Sequence, residues 1–385
     1  MDTAIRILFV AFSAATALVW FLVFGYILAL SVAAALKKKT ISPSPRWPGI
    51  AIVVPTLNEE ALILDKLEDL RKIDYPKDRV EIVVVDGGSA DLTADLVRNE
   101  IDKGHPIRLV CLKGPIKKID QVNRAMEMLP HDILVFTDAD ARLEPSCIKR
   151  LVALMMGDPR LAIVGASVVP QTPLVEERIH WRLMNLIWWL EGEVFVSAGF
   201  SGVCYAVRRK VLAPIPAEAL TEDISLALAA RARGWRVRIC RPARVSELRA
   251  PKTAKDLFEY RRRRGSGYLA ELLRARPRPS SPLLWRLARW VRISQFCLVP
   301  WTMVSAIVLG GILAFTGHRL YVLLALGLLL ISAFSLVFFL NRQEGNRSGC
   351  LKLGLATLPF GILTLVSMLT LSRHPTLQVP RGGKP

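Results

Sequence analysis

The chain has 385 residues, 52% of them hydrophobic, and carries 52 Lys and Arg against 33 Asp and Glu for a formal charge of +19. This length accommodates one sizeable core with extra elements, and so much hydrophobicity alongside so much positive charge excludes an ordinary soluble protein. The apolar residues gather in four runs free of charge, at 7–36, 293–317, 320–340 and 353–371, each near the roughly 20 residues that a membrane span needs.

The first run is expected to be a retained anchor. Ala33-Ala34-Ala35 imitates a signal cleavage site, but a signal core is about 7–15 residues long and has no basic block directly after it. Here Lys37, Lys38 and Lys39 follow at once, and positive residues stay on the cytoplasmic side. The middle of the chain is therefore expected inside the cell, on a multi-pass protein of the inner (cell) membrane. Arg342, Arg347 and Lys352 put the loop after the third run on that side too, whereas a tail with Arg373, Arg381 and Lys384 outside runs against the rule. The six cysteines (111, 147, 204, 240, 297 and 350) are scattered without a C-x-x-C pair, which suits reduced, packed thiols.

After a linker containing Pro43, Pro45 and Pro48, strand and helix patterns alternate. Strands are expected at 50–55, 80–86, 107–112 and 133–136, and helices at 59–71, 91–101 and 119–128. Short connections between them mark an α/β domain with a mostly parallel sheet, which gathers ligands at the carboxyl ends of its strands. Polar residues lie at those ends: Pro55-Thr56-Leu57-Asn58-Glu59-Glu60 after the first strand and Asp86-Gly87-Gly88-Ser89-Ala90-Asp91 after the second. Thr137-Asp138-Ala139-Asp140 ends the fourth. Each could be a turn or a helix cap, but three at equivalent positions make one cleft. Asp138 and Asp140, two apart on an extended chain, can face one ligand. Such a pair suits a hard divalent cation, Mg²⁺ or Mn²⁺, which in turn suits a diphosphate.

Farther on, Trp181, Trp188 and Trp189 with Ile179, Leu183, Leu186 and Ile187 predict a helix lying on the core or on the bilayer surface. Gly199-Phe200-Ser201-Gly202 reads as a loop, an ordinary turn or one facing a substrate. Thr221-Glu222-Asp223 precedes a helical pattern at 224–233, where Thr221 could simply be the N-cap with two acids set against the helix dipole. Residues 231–292 hold 19 Lys and Arg against four acids. Aromatic residues are sparse there, so nucleic acid is not the expected partner; a solvated basic face, anionic headgroups or substrate phosphates fit better, with Arg261 to Arg264 singled out.

Over residues 50–270 these motifs together resemble membrane-bound glycosyltransferases of family 2 with the GT-A fold. Pro55, Asn58 and Glu59 resemble the family's P-x-x-N-E nucleotide turn. Val83 to Ser89 resembles V-D-D-G-S, with Gly87 in place of the second aspartate, so Asp86 would contact the nucleoside. Lys118 and Asn123 resemble the K-x-x-x-x-N before the metal motif, Asp138 and Asp140 the D-x-D, and Thr221-Glu222-Asp223 the T-E-D whose aspartate is the general base. Tyr260 to Arg264 stands where processive members such as hyaluronan and cellulose synthases, and ceramide glucosyltransferases, carry Q-x-x-R-W. The final tryptophan is replaced by Arg264, which counts against polymer synthesis more than against transfer itself.

The resemblance implies an inverting enzyme that moves a sugar from a nucleotide sugar, a UDP-sugar in the first instance, to a lipid or lipid-linked acceptor. Asp223 would be the base, Asp138 and Asp140 the holders of Mg²⁺ or Mn²⁺, and Pro55, Asn58, Glu59, Asp86, Lys118, Asp138, Arg261 and Arg264 the donor contacts. Glu222, Gly202 and Ser201 would border the acceptor. The expected organisation is an anchor at 1–36, a linker at 37–49, the GT-A domain at 50–270, a basic juxtamembrane segment at 271–292, three spans at 293–371 and a tail at 372–385. Processive polysaccharide synthesis is the runner-up, and an inactive nucleotide-binding scaffold the alternative of another kind. A transporter finds no support, because the terminal runs lack the buried charges it would need.

Overall fold

The computed structural model describes residues 3–36, 47–211, 213–277 and 281–342. Lys37 to Lys39, the fourth apolar run and the tail, with Cys350 and the basic residues that bear on the last crossing, lie outside the described residues.

Helices α1 (Thr3–Trp20) and α2 (Tyr26–Ala35) are joined by a π-helical turn at Phe21–Gly25. The domain that follows runs β1 (Ile50–Thr56), α3 (Ile63–Arg71), β2 (Val80–Asp86), α4 (Thr93–Asp102), β3 (Ile107–Cys111), α5 (Lys118–Met128) and β4 (Ile133–Thr137). It continues with β5 (Ala141–Leu143), α6 (Cys147–Met156), β6 (Leu161–Pro170), α7 (Val175–Glu193), β7 (Cys204–Arg208), α8 (Glu222–Ala232), β8 (Arg236–Glu247) and α9 (Ala254–Arg274). Helices α10 (Leu283–Cys297), α11 (Val299–Phe315) and α12 (Arg319–Arg342) close the described chain.

One eight-stranded sheet has the order β3-β2-β1-β4-β7-β6-β8-β5. The first four strands are mutually parallel, β7 runs against both β4 and β6, and β8 lies parallel to β6. Helices cover both faces, so β1 and β4 are buried along their whole length. This is why they read as unbroken apolar runs instead of alternating ones. The polar tips of β2, β1 and β4 are consequently neighbours at one edge of the sheet.

Helix α3 begins at Ile63 instead of residue 59. Asn58 adopts a left-handed conformation (φ 57°). The next two amides donate across to the β2 loop, Glu59 to Thr93 Oγ1 at 2.8 Å and Glu60 to Asp91 Oδ2 at 3.1 Å. These bonds and the left-handed Asn58 tie residues 58–60 to the β2 loop, and the regular helix follows one turn later.

By length and composition, Thr3–Ala35 and Arg319–Leu336 can each cross a membrane. The run at 293–317 does not form one straight helix: α10 and α11 meet at 50° and count as a third span only if taken as one broken crossing. Pro300, in the first turn of α11, supplies the break, because it has no N–H for the preceding helix. The 17 residues of α11 reach only about 25 Å.

Helix α7 lies on the core, the first of its two sequence readings, and packs on α2 as well. Trp181 and Trp188 enter the main core, while Leu186, Ile187 and Leu190 pack against Ile27 and Leu30 of α2. The same junction holds a buried polar chain. Tyr26 Oη donates to Glu191 Oε1 at 2.8 Å, and Arg292 Nε donates to Tyr268 Oη at 3.2 Å and lies 3.6 Å from Glu191. Gln295 Nε2 donates to the Leu22 carbonyl in the π turn at 2.7 Å. Three arginines of the basic stretch face inward, while most of the others are exposed or half-buried. Arg231 bonds the Trp235 carbonyl, Arg289 the carbonyls of Leu272 and Ala275 at the end of α9, and both are buried along with Arg292.

Candidate active site

The β2 loop is wound around its own aspartate. Asp86 is buried; its Oδ2 accepts from the amides of Gly88 and Ser89 at 3.2 and 3.0 Å, and its Oδ1 from Ser89 Oγ at 2.5 Å. A Cβ at position 87 would lie 2.9 Å from the Ile116 carbonyl and 2.3 Å from Gln121 Nε2. The glycine that replaces an acid in this motif is thus enforced by the 112–117 segment crossing above it. Asn58 fastens the neighbouring tip, accepting from the Ala90 amide through Oδ1 at 2.8 Å and donating its own amide to Ser89 Oγ at 2.9 Å. Pro55 lies within β1, paired with Val85, and contributes backbone shape. Glu59 is buried and gripped by Arg249 through both oxygens, at 2.8 and 2.7 Å.

Asp138 and Asp140 follow β4, and a residue that the sequence does not advertise holds their loop. Lys66, fully buried on α3, donates to Thr137 Oγ1 at 3.0 Å and to the Ala141 carbonyl at 2.9 Å, bracketing the D-x-D from below. Asp138 is pinned from above by its amide bond to the Val203 carbonyl at 3.0 Å. Burial raises both acids above the ordinary carboxylate range; Asp140 is raised further by Glu247 and Glu59, against the pull of Arg249.

The T-E-D meets this group through Lys118. Its Nζ lies 2.6 Å from Asp138 Oδ1, 2.5 Å from Glu222 Oε1 and 3.1 Å from the Gly202 carbonyl. Burial works against its charge, but the two carboxylates prevail and hold Lys118 above its usual value. Burial also works against the Glu222 carboxylate, yet Lys118 holds it below the usual range. Asp223, partly exposed, accepts from the Gly202 amide at 3.0 Å and from the Ile224 amide at 2.8 Å. Burial, and then the charge of Glu222, push its carboxyl up to about 6. Thr221 is the N-cap by position, but its side chain makes no capping bond and its hydroxyl is buried without a partner among the described residues. The capping alternative for this motif is not realised by the threonine. Ser201 is buried, its Oγ accepting from the Val203 amide at 3.4 Å. Asn123 braces the segment before the T-E-D by exchanging two 2.8 Å bonds with the Ile215 backbone.

The arginine run divides. Arg261 spends its guanidinium on Glu177 of α7, a fully buried carboxylate, at 2.6 and 2.9 Å. That places it in the scaffold and not among the acids of the cleft. Arg264 donates to Glu247 at 3.0 Å, lies over the rings of Tyr260 (4.5 Å) and Trp181 (5.3 Å), and bears electrostatically on Asp223. Tyr260 Oη donates to the same Glu247 at 3.1 Å. Glu247, Arg249, Tyr205 and Lys66 belong to this neighbourhood and carry no motif that singles them out. Tyr205 is the most telling, with a buried hydroxyl that finds no partner among the described residues and faces the charges of Glu222, Asp138 and Asp223.

No three acid, histidine or cysteine side chains among the described residues converge closely enough to hold a cation alone. The fit to Mg²⁺ or Mn²⁺ is still good. Asp140 makes no ion pair of its own among the described residues and sits in a surplus of negative charge. Such ions are commonly held by one or two carboxylates and completed by substrate phosphates.

The family profile described as Glycosyl transferase family 2 matches residues 51–212, and that described as Glycosyl transferase family group 2 matches residues 133–340, more than half of the chain. The chain belongs to the family 2 glycosyltransferases. Among its relatives are "Probable glycosyltransferase YdaM" of Bacillus subtilis (strain 168), 28% identical over 246 residues, or 58% of each chain. Another is poly-beta-1,6-N-acetyl-D-glucosamine synthase of Staphylococcus aureus (strain COL), 23% identical over 62% of this chain and 59% of that one. The match thus spans less than two thirds of either relative. In fold, the chain is similar to a mannosyltransferase of Pyrobaculum calidifontis solved with GDP-Man and Mn²⁺, with a TM-score of 0.68 and 22% identity over 93% of this chain and 99% of that one.

Proposed function

We propose that this glycosyltransferase inverts configuration as it moves a sugar from a nucleotide sugar to a lipid or lipid-linked acceptor at the cytoplasmic face of the cell membrane. The observation that carries this reading is Asp223. It is oriented by two backbone amides, raised to about 6, and separated from Asp138 only by Lys118 and Glu222. A carboxylate with that value is ionised at neutral pH, yet is a better proton acceptor than an ordinary aspartate.

An acceptor hydroxyl gives its proton to Asp223 as its oxygen forms the bond to the anomeric carbon. The bond from that carbon to the diphosphate oxygen breaks on the opposite face, and the nucleoside diphosphate leaves with the electron pair. Asp138 and Asp140 would hold Mg²⁺ or Mn²⁺, which supplies neutralising charge to the diphosphate when bound. Lys118 stands beside Asp138, and Arg264 bears on Asp223; both add fixed positive charge where negative charge grows. Asn58, Glu59 and Asp86 shape the β1 and β2 tips for the nucleoside, with Pro55 setting the backbone.

The bilayer acceptor is supported by continuity. Helix α7 packs on the apolar helix α2, and the segment after α7 leads directly to Gly202. Purified full-length protein in native lipid, offered UDP-, GDP- and dTDP-sugars with a glycolipid or lipid-linked sugar acceptor that carries a free hydroxyl, is expected to release nucleotide with one donor class and add a single sugar. A ladder of products would favour processive synthesis. No release with any donor, or equal release by Asp223→Asn, would overturn the proposal.

A further inference from the structure

A second cavity, sharing no residue with the acid cleft, lies between α6, α7 and β8. It has a volume of about 590 Å³ and is lined by Glu144, Arg150, Trp189, Arg241, Pro242 and Arg244. It exists because β8 is irregular. Ala166 pairs with Cys240 but Ser167 with Arg244, so residues 241–243 bulge out of the pairing and bring Arg241 beside Arg244, where the pairing resumes. The Arg241 guanidinium lies 4.9 Å over the Trp189 ring. Arg150 bonds the Pro242 carbonyl and lies 3.5 Å from Glu144, the single acid of the lining. Within the lining, three guanidiniums meet one carboxylate. Arg244 is exposed and makes no ion pair among the described residues. Burial first, and then the nearby charge of Arg244, hold Arg241 below its usual value. An anion between the two would relieve that repulsion.

The position says which anion. Trp189 also packs against the cluster formed by Ile27 and Leu30 of α2 with Leu186, Ile187 and Leu190 of α7. The arginine-lined space therefore opens beside the point where the apolar N-terminal helix meets the domain, and tryptophan is the residue that favours the membrane–water boundary. We propose that this cavity binds the phosphate of an anionic lipid headgroup, anchoring the domain to its leaflet at a point separate from the donor and acceptor. Arginine forks match phosphate oxygens in pairs, and basic side chains at a bilayer surface favour anionic lipid.

The test uses full-length protein in mixed micelles, titrated with phosphatidylglycerol or phosphatidylcholine, with inorganic phosphate as the soluble probe. Phosphatidylglycerol is expected to bind more tightly than phosphatidylcholine. Arg244→Ala should weaken it about fivefold and Arg241→Ala/Arg244→Ala more than tenfold, in line with the usual worth of a basic residue at an anionic surface. Arg244→Lys should recover most of the binding. Because Arg244 is exposed and supports no ion pair among the described residues, its single variant keeps the measurement interpretable if the double variant unfolds. Equal binding of the two lipids, or undiminished phosphatidylglycerol binding by Arg244→Ala, overturns the proposal. So does inorganic phosphate binding as tightly as phosphatidylglycerol with the same loss in the variants, which would assign a soluble phosphate ligand instead.

Discussion

The backbone amide of Gly202 donates to Asp223 Oδ2 at 3.0 Å, while its carbonyl accepts from Lys118 Nζ at 3.1 Å. One residue thus orients the proposed base and the cation that bridges the other acids. A Cβ there would stand 2.7 Å from Glu222 Oε1 and 3.3 Å from Asp223 Oδ2. Gly202→Ala is expected to fold, since ends of side chains can yield, but to lose about 10²-fold in kcat, the scale of a 1 Å misplacement. Initial rates of nucleotide release alongside a thermal melt check this; a rate within threefold of wild type would contradict it.

For Asp223→Asn we expect a loss of about 10²–10⁴ in rate with donor binding kept. In the wild type, kcat/KM should fall as pH drops through about 6. The sign for stability is opposite to that of a salt-bridged acid. A carboxyl raised in the folded state costs stability once ionised, a cost absent below the unfolded value near 3.9 and fully present above about 6. The variant should therefore melt no lower than wild type at pH 7.5, and any gain should fade toward pH 4.

Lys66→Met removes the donor to Thr137 Oγ1 and the Ala141 carbonyl. An orphaned buried acceptor costs about 1–3 kcal/mol. Because the loop between these two residues carries Asp138 and Asp140, donor affinity should drop as well, by about tenfold, which isothermal titration with the nucleotide sugar would reveal. Unchanged affinity would confine Lys66 to stability alone.

Asp140→Ala should abolish the metal dependence of nucleotide binding, so that titrations with and without EDTA coincide in the variant and differ in the wild type. Coincident titrations in the wild type would remove the cation from the proposal.

Arg261 and Arg264 should separate by phenotype. Arg261→Ala strands the fully buried Glu177 and is expected to cost about 3–5 kcal/mol, mostly regained in Arg261→Met/Glu177→Gln. Arg264→Ala should melt nearer to wild type but turn over more slowly, because its side chain bears on Asp223. Equal melting points for the two alanine variants would contradict this division.

The parallel half of the sheet was legible because β1, β4 and the second half of β2 are buried on both faces and so read as apolar runs with acids at or just beyond their ends. The loops at their tips were legible as motifs, although only the coordinates show why position 87 must be glycine. Other features left no trace in the sequence. Lys66 looks like any lysine of an amphipathic helix, and its meaning lies in Thr137 and Ala141, far along the chain. Glu177 looks like an ordinary first-turn acid, yet it draws Arg261 away from the cleft. The break between α10 and α11 was hidden inside an uncharged run, where hydropathy outweighs a single proline. Arg289 and Arg292 read as two more charges of a basic stretch, because composition does not distinguish a surface from a seam.

The bond from Gln295 to the Leu22 carbonyl, together with Tyr26 on Glu191, has a practical consequence for anyone wishing to trim the protein. A shortened chain starting at residue 47 would keep every acid of the cleft but expose the seat of the missing anchor and leave Glu191 without its phenol. Such a fragment should be poorly soluble and slow even with a water-soluble acceptor, so that reconstitution, not truncation, is the route to a working preparation.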